Sequence, residues 1–192
     1  MEQIFLSLGS NLGDRLENLR RALASIREFA AILALSDAYE TEPVGYTDQP
    51  WFVNAVVALR VVNLAGGVEP MDRTGSEDAA ADENLPHRLL ERLMSIERLI
   101  GRQRGVAGAI PKGPRVIDID ILMFGDRVID SAELTIPHPA MHLRRFVLEP
   151  LVQIAPQLEH PILRQSALQL LRALPVEGPL VRRLGALDLA EE

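Results

Sequence analysis

Asp118-Ile119-Asp120 is the sharpest chemical feature of this chain. The triplet lies in Val116 to Phe124, a near-continuous apolar run that predicts a β-strand. Side chains alternate faces along a strand, so Asp118 and Asp120 share one side, roughly 6–7 Å apart. Ile117, Ile119, Ile121 and Met123 are expected to fill the other. Two carboxylates in an apolar strand repel and resist desolvation unless positive charge lies beside them. Two readings supply that charge. One is a pair of arginine salt bridges. The other, preferred here, is a hard cation such as magnesium, which takes one or two carboxylates together with substrate phosphates and water.

The residues before this strand are basic. Between Arg98 and Arg115 the chain has five bases (Arg98, Arg102, Arg104, Lys112 and Arg115) and no acid, and Lys112 is its only lysine. Guanidinium forks bind phosphate oxygens, and phosphoryl transfer depends on such positioning and charge stabilisation. Taken alone, the loop reads better as a solvated surface with arginines at a helix C-terminus. Trp51 and Phe52 beside Asn54 offer an aromatic face and an amide to a flat heterocycle, although core aromatics at a strand start have the same pattern. Gly9-Ser10-Asn11-Leu12-Gly13 is neither a Walker A loop nor a dinucleotide turn. The four histidines lack metal-ligand spacing; His138, between two prolines and near Arg144 and Arg145, is the most interesting of them.

The elements that must position these residues follow from periodicity and punctuation. Ile4 to Leu8 predicts a strand, and Asp14 to Phe29 a helix opened by Asp14 and Glu17 in the manner of a capping box. Ile32 to Tyr39 and Phe52 to Val62 predict strands separated by a proline-containing loop, Thr41 to Pro50. A helix from Pro86 buries Leu89, Leu93, Ile96 and Ile100 and stops at Gly101. The glycine-rich loop Arg102 to Pro114 then leads into the carboxylate strand. Asp126-Arg127 suggests a hairpin turn, and short helices are expected over Phe146 to Ile154 and Arg164 to Leu174. The order is β-α-β-β-α-β with a helical extension. Its economical packing is an antiparallel four-stranded sheet with two helices on one face. Residues 1–174 form one domain, with 66–85 a flexible acidic insertion and 175–192 a tail to which no element is assigned.

The bulk composition narrows the class. Of 192 residues, 47% are apolar, 24% charged and 4% aromatic, which describes a globular protein with an aliphatic core. The absence of cysteine removes disulfide, thiolate-zinc and thiol-nucleophile chemistry. No apolar run approaches a bilayer span, and Met1-Glu2-Gln3 is unlike a basic signal-peptide start; the expectation is a cytoplasmic protein without a membrane partner, and a monomer. The net charge of −7 is concentrated in residues 66–85, whose removal leaves 21 acids against 19 bases. Few aromatics and one short basic stretch argue against nucleic acid as a partner.

Several stretches together resemble the 6-hydroxymethyl-7,8-dihydropterin pyrophosphokinase family. They are Leu8-Gly9-Ser10-Asn11-Leu12-Gly13, Tyr39-Glu40-Thr41-Glu42-Pro43-Val44-Gly45 with Asp48-Gln49-Pro50, and Phe52-Val53-Asn54-Ala55-Val56. Gly113-Pro114-Arg115-Val116-Ile117-Asp118-Ile119-Asp120-Ile121 and Leu134-Thr135-Ile136-Pro137-His138-Pro139 complete them. The resemblance implies a ferredoxin-like α+β sandwich that transfers pyrophosphate from ATP to the pterin hydroxymethyl group and releases AMP. It implies that Asp118 and Asp120 bind two magnesium ions and that Arg102 and Arg115 stabilise charge on the transferred group. Arg104, Lys112, Ile121, Thr135, His138 and Arg144 would contact ATP. The pterin would lie between Phe52 and Phe146, read by Asn54 and by the backbone of Thr41, Glu42, Pro43, Val44 and Gly45. Two departures stand out: Pro111-Lys112 replaces an Arg-Trp pair frequent in the family, and the acidic insertion is unusual. A non-catalytic nucleotide- or metal-binding module on the same scaffold is the alternative.

Overall fold

The computed structural model describes residues 2–64, 83–103 and 112–188. Arg104 and nearly all of the acidic insertion lie outside them. The described residues form an α+β fold around an antiparallel sheet. In chain order the elements are β1 (Ile4–Ser10), α1 (Arg15–Arg27), β2 (Ala30–Leu35), β3 (Ala38–Thr41) and β4 (Phe52–Val61). Then come α2 (Leu85–Ile100), β5 (Asp118–Phe124), β6 (Ile129–Asp130), β7 (Thr135–Ile136), α3 (Arg145–Ile154), α4 (Ala167–Ala173) and β8 (Val181–Gly185).

β4 organises the sheet because both its faces are apolar. Its first eight residues are buried; each fully buried Val or Leu there contributes roughly 1.5–3 kcal/mol. One edge of β4 pairs with β1 along Ile4–Ser10, and β1 pairs with β5. The other edge is shared, β2 taking the C-terminal half and β3 the N-terminal half. β8 then pairs with β3, so six strands rather than four make the sheet.

Helices cover both faces, not one. α1 and α2 pack Leu19, Leu23, Ile26, Leu89, Leu93 and Ile96 on Ile4, Leu6, Leu8, Val57 and Leu59. On the opposite face, α3 and α4 bring Val147, Leu148, Leu151 and Leu170 against Phe5, Val56, Ala58 and Met123. The helical extension is therefore a second layer. Asp14 caps α1 by accepting from Glu17 N at 3.0 Å. α2 starts one residue before Pro86 and ends at Gly101, whose φ of 115° suits glycine.

Two strand expectations need correction. The run Ile32 to Tyr39 is two strands, broken at Ser36-Asp37. Ser36 pairs with Val56 through its main-chain N–H and its hydroxyl, each at 2.9 Å. Leu35 lies opposite Val57, so an unbroken register would set Ala38 opposite Asn54; the observed partner is Tyr39. One residue is looped out, and a one-residue slip exchanges the faces of everything beyond it. A second slip, between Phe5 and Leu6 opposite β5, moves Met123 into the α3–α4 layer and Phe124 into the α1–α2 core. In the tail, to which no element is assigned from sequence, 181–185 is a strand.

Candidate active site

The α3–α4 face of β1, β4 and β5 is left uncovered at one end, where a cavity of about 250 Å³ opens. Sheet register builds its floor. Gly9 is paired with Asn54 on one side and Asp118 on the other, and Ser7 with Val56 and Asp120. The two aspartates thus share one face, as strand alternation requires, and both line the cavity.

Asp118 is engaged by arginine on two sides. Arg102 donates to it and also donates to Glu97 Oε1 at 2.5 Å. Arg115 Nε stands 2.8 Å from Asp118 Oδ2 as an ion pair. Burial alone would lower the Arg102 pKa; Asp118 and Glu97 more than offset it and hold the group above the ordinary arginine value. The salt-bridge reading of the carboxylate strand is therefore satisfied for Asp118. Asp120 differs. Burial and the adjacent Asp118 charge push its carboxyl up to about 6, against the lowering fields of Arg144 and Arg115.

Glu97 was not expected. It is 1% exposed and also accepts from Ile119 N at 2.8 Å, so it ties α2 to the carboxylate strand. The signal was present: Glu97 falls on the apolar stripe of α2, four residues after Leu93, where a solvated charge does not belong.

The other end of the cavity is lined by Thr41, Glu42, Val44, Phe52, Asn54 and Phe146. The looped-out residue before β3 turns Thr41 toward this face, where its Oγ1 accepts from Asn54 Nδ2 at 2.6 Å. Arg115 joins the two ends, its guanidinium carbon lying 4.9 Å from the Phe52 ring centroid. Arg144 likewise lies 5.7 Å from the Phe146 ring.

Asn11, 2% exposed, organises the loops above. Its side chain donates to Gln49 Oε1 at 2.9 Å and to Pro50 O at 3.0 Å, and accepts from Arg115 N at 2.7 Å. Gln49 in turn donates to Lys112 O. Lys112 lines the cavity, with its Cδ close to Gly45.

Not every expected residue meets the cavity. Trp51 contributes a carbonyl to Arg15 but no wall. Pro43 is buried beside the site, and Gly45 turns the loop at φ 89°. The Ile121 side chain is 4% exposed within the α1–α2 core, on the face of β5 away from the cavity. Thr135 is held in the β6–β7 pair. His138 docks its N–H on Leu122 O at 2.9 Å, with Nε2 4.0 Å from Asp120 and 3.4 Å from Arg144. Burial and the Arg144 charge push His138 down to about 4, so it is neutral at neutral pH.

The chain is similar to known proteins over most of its length. The family described as 7,8-dihydro-6-hydroxymethylpterin-pyrophosphokinase (HPPK) matches residues 5–68 and 78–156. The 2-amino-4-hydroxy-6-hydroxymethyldihydropteridine pyrophosphokinase of Pseudomonas aeruginosa is 37% identical over 180 residues, 93% of this chain and 95% of that one. The protein of the same name from Bacillus subtilis is 38% identical over 158 residues, 81% of this chain and 79% of its own. The folic acid synthesis protein fol1 of Schizosaccharomyces pombe is 37% identical over 91% of this chain, which spans only 21% of that longer protein. Among solved structures, wild-type Plasmodium falciparum HPPK-DHPS shares the fold with a TM-score of 0.59 at 16% identity, over 89% of this chain and 44% of that one. On these matches the chain belongs to the 7,8-dihydro-6-hydroxymethylpterin-pyrophosphokinase family.

Proposed function

We propose that this protein transfers the pyrophosphoryl group of ATP to 6-hydroxymethyl-7,8-dihydropterin, in a magnesium-dependent reaction that releases AMP. One observation carries the reading: a single cavity joins the carboxylates Asp118 and Asp120 to an aromatic, amide-bearing end formed by Phe52, Asn54 and Phe146. The strand order β5-β1-β4, completed by β2 and β3, with α1 and α2 on one face, supports a ferredoxin-like scaffold.

The donor set fits magnesium. Asp118 and Asp120 offer only oxygen, and among the described residues no group of three or more His, Cys, Asp or Glu is arranged to hold a metal alone. Phosphate and water oxygens would complete such a site. The raised Asp120 carboxyl, held up by burial and by the Asp118 charge, also marks a site where a cation would be favourable. Asp118 and Asp120 would hold the magnesium, two ions in this reading, which would supply positive charge to the ATP phosphates.

The chain's own residues then orient and stabilise. Phe52 and Phe146 hold the flat ring, while Asn54, fixed by Thr41, reads its polar edge with the main chain of 41–45. The pterin hydroxyl oxygen forms a new bond to the β-phosphorus; the bond between that phosphorus and the α,β-bridging oxygen breaks, AMP departs with the bridging oxygen, and the hydroxyl proton passes to solvent. Arg102 and Arg115, both paired with Asp118, are assigned to stabilise charge developing on the transferred group, and Arg144 and neutral His138, in contact with each other, to the ATP phosphates. Lys112 adds a cation at the cavity mouth, and Arg104 and Thr135 are assigned to ATP. The reading keeps the expectations of a cytoplasmic monomer; among the described residues no helix is long and apolar enough to cross a membrane.

Product analysis tests the reading. With ATP, magnesium and the reduced pterin, AMP and a pterin diphosphate should form in equal amounts. ADP as the main nucleotide product, or turnover independent of pterin, would overturn it.

A further inference from the structure

The strand β8 and Leu180 just before it lie outside the family-matched residues 5–68 and 78–156, yet they are linked to both ends of the loop that walls the cavity. At the start of that loop, Glu42 N donates to Leu180 O at 3.0 Å, and Leu180 N donates to Glu42 Oε2 at 2.8 Å. At its end the link runs through charge. Arg182 pairs with Glu40, Glu40 accepts from Arg15 Nη2 at 3.0 Å, and Arg15 Nη1 donates to Trp51 O at 2.8 Å. Trp51 is the residue before Phe52. The segment leading to β8 is itself tied to the start of α3, where Arg145 donates to Pro175 O at 2.9 Å, next to Phe146.

We propose that β8 is a positioning strap for the pterin end of the cavity, with Leu180 and Arg182 setting the pose of residues 42–51. This inference rests on the pterin reading above. Its physical basis is entropic: a ten-residue loop held at both ends reaches its binding pose without the ordering cost that a loose loop incurs on binding. Neither Leu180 nor Arg182 lines the main cavity, and neither lies at the carboxylates. The strap therefore acts first on pterin affinity and reaches the ATP end only indirectly, through the bonds of Gln49 to Asn11 and Lys112. A hollow of about 200 Å³ separates the tail from Val44 and Phe146, so hydrogen bonds and ion pairs carry the coupling rather than tight side-chain packing.

The test uses the full chain with Leu180→Pro, which removes one donor, Arg182→Ala, which breaks the ion pair, and both together. Leu180 is 61% exposed and the Arg182 side chain 69%, so little packing is lost. In the double variant, KM for the pterin should rise about 5- to 20-fold, while kcat and KM for ATP stay within about twofold. Arg182→Lys should recover most of the Arg182→Ala effect. Amide hydrogen exchange across 42–51 should quicken about tenfold while β1 and β5 are unchanged. An unchanged pterin KM, an equal rise in the KM for ATP, or unaltered exchange would overturn the strap. If Leu180→Pro does not fold, Arg182→Ala decides alone. If the unaltered protein makes no AMP, the functional reading fails, and the exchange measurement still decides whether β8 holds the loop.

Discussion

Asn54 lies across Gly9. The two are paired between β1 and β4, and Asn54 Oδ1 stands 2.6 Å from where a Cβ on Gly9 would be placed. That approach is possible only above a residue without a side chain. Gly9→Ala should therefore displace the Asn54 amide from Thr41 without changing backbone conformation. A buried amide that loses its partner costs about 1–3 kcal/mol. The expected outcome is a pterin KM at least about fivefold higher with a near-native KM for ATP; equal KM values for pterin in the two proteins would exclude a reading role for Asn54.

The carboxylates should separate from the fold. Asp118→Ala and Asp120→Ala are expected to lower kcat/KM by about 10³-fold or more, roughly 4 kcal/mol of transition-state stabilisation. Far-UV circular dichroism should stay native, because Arg102 keeps Glu97 as a partner in the first variant. Global unfolding with either substitution would instead make the pair a structural salt-bridge element.

Arg102 and Arg115 both touch Asp118 but differ in their second contact: Arg102 reaches Glu97, Arg115 reaches the Phe52 ring. Both Arg→Ala variants should slow turnover far more than they weaken ATP binding. Arg115→Ala alone should also change the KM for pterin. Identical kinetic profiles for the two variants would argue that Arg115 does not couple the two ends of the cavity.

Asp120 gives a pH signature. Without metal its carboxyl should titrate near 6, above the ordinary 3.8, and Asp118→Asn should lower it by removing the charge that helps raise it. Between those two values the folded protein keeps a proton that the unfolded chain has released. The stabilising contribution is thus present at low pH and is lost as pH rises through about 6. In magnesium-free buffer, the Tm of the protein relative to Asp120→Asn should fall between pH 4 and pH 7. A constant difference would show that the carboxyl is not raised.

Phe146→Ala removes one aromatic wall and should raise the pterin KM about tenfold, since stacking on an aromatic side chain is worth roughly 1–3 kcal/mol. Product analysis would show AMP as before, and ATP affinity should hold. Loss of both affinities together would place Phe146 in the fold and not in the pterin end.

The sequence alone determined what local periodicity controls. Alternation along Val116 to Phe124 put Asp118 and Asp120 on one face, and the apolar stripe of α2 identified Leu89, Leu93, Ile96 and Ile100 as core. Those patterns depend on residues a few positions apart, so no tertiary contact is needed to read them. Tertiary structure decided whatever depends on pairing between distant segments. The residue looped out between β2 and β3, which turns Thr41 toward Asn54, is visible only against the register of β4. The slip in β5 that moves Met123 to the α3–α4 layer is visible only against β1. Glu97 reached Ile119 N and Arg102 through a helix–sheet contact, although its place on an apolar stripe was a local signal. The strand 181–185 has weak local character, with three exposed residues in five, and exists because β3 offered an unpaired edge and Asp37 and Glu40 offered charge to Arg183 and Arg182. Edge pairing of that kind is chosen by the partner, and the partner lies some 140 residues away in the chain.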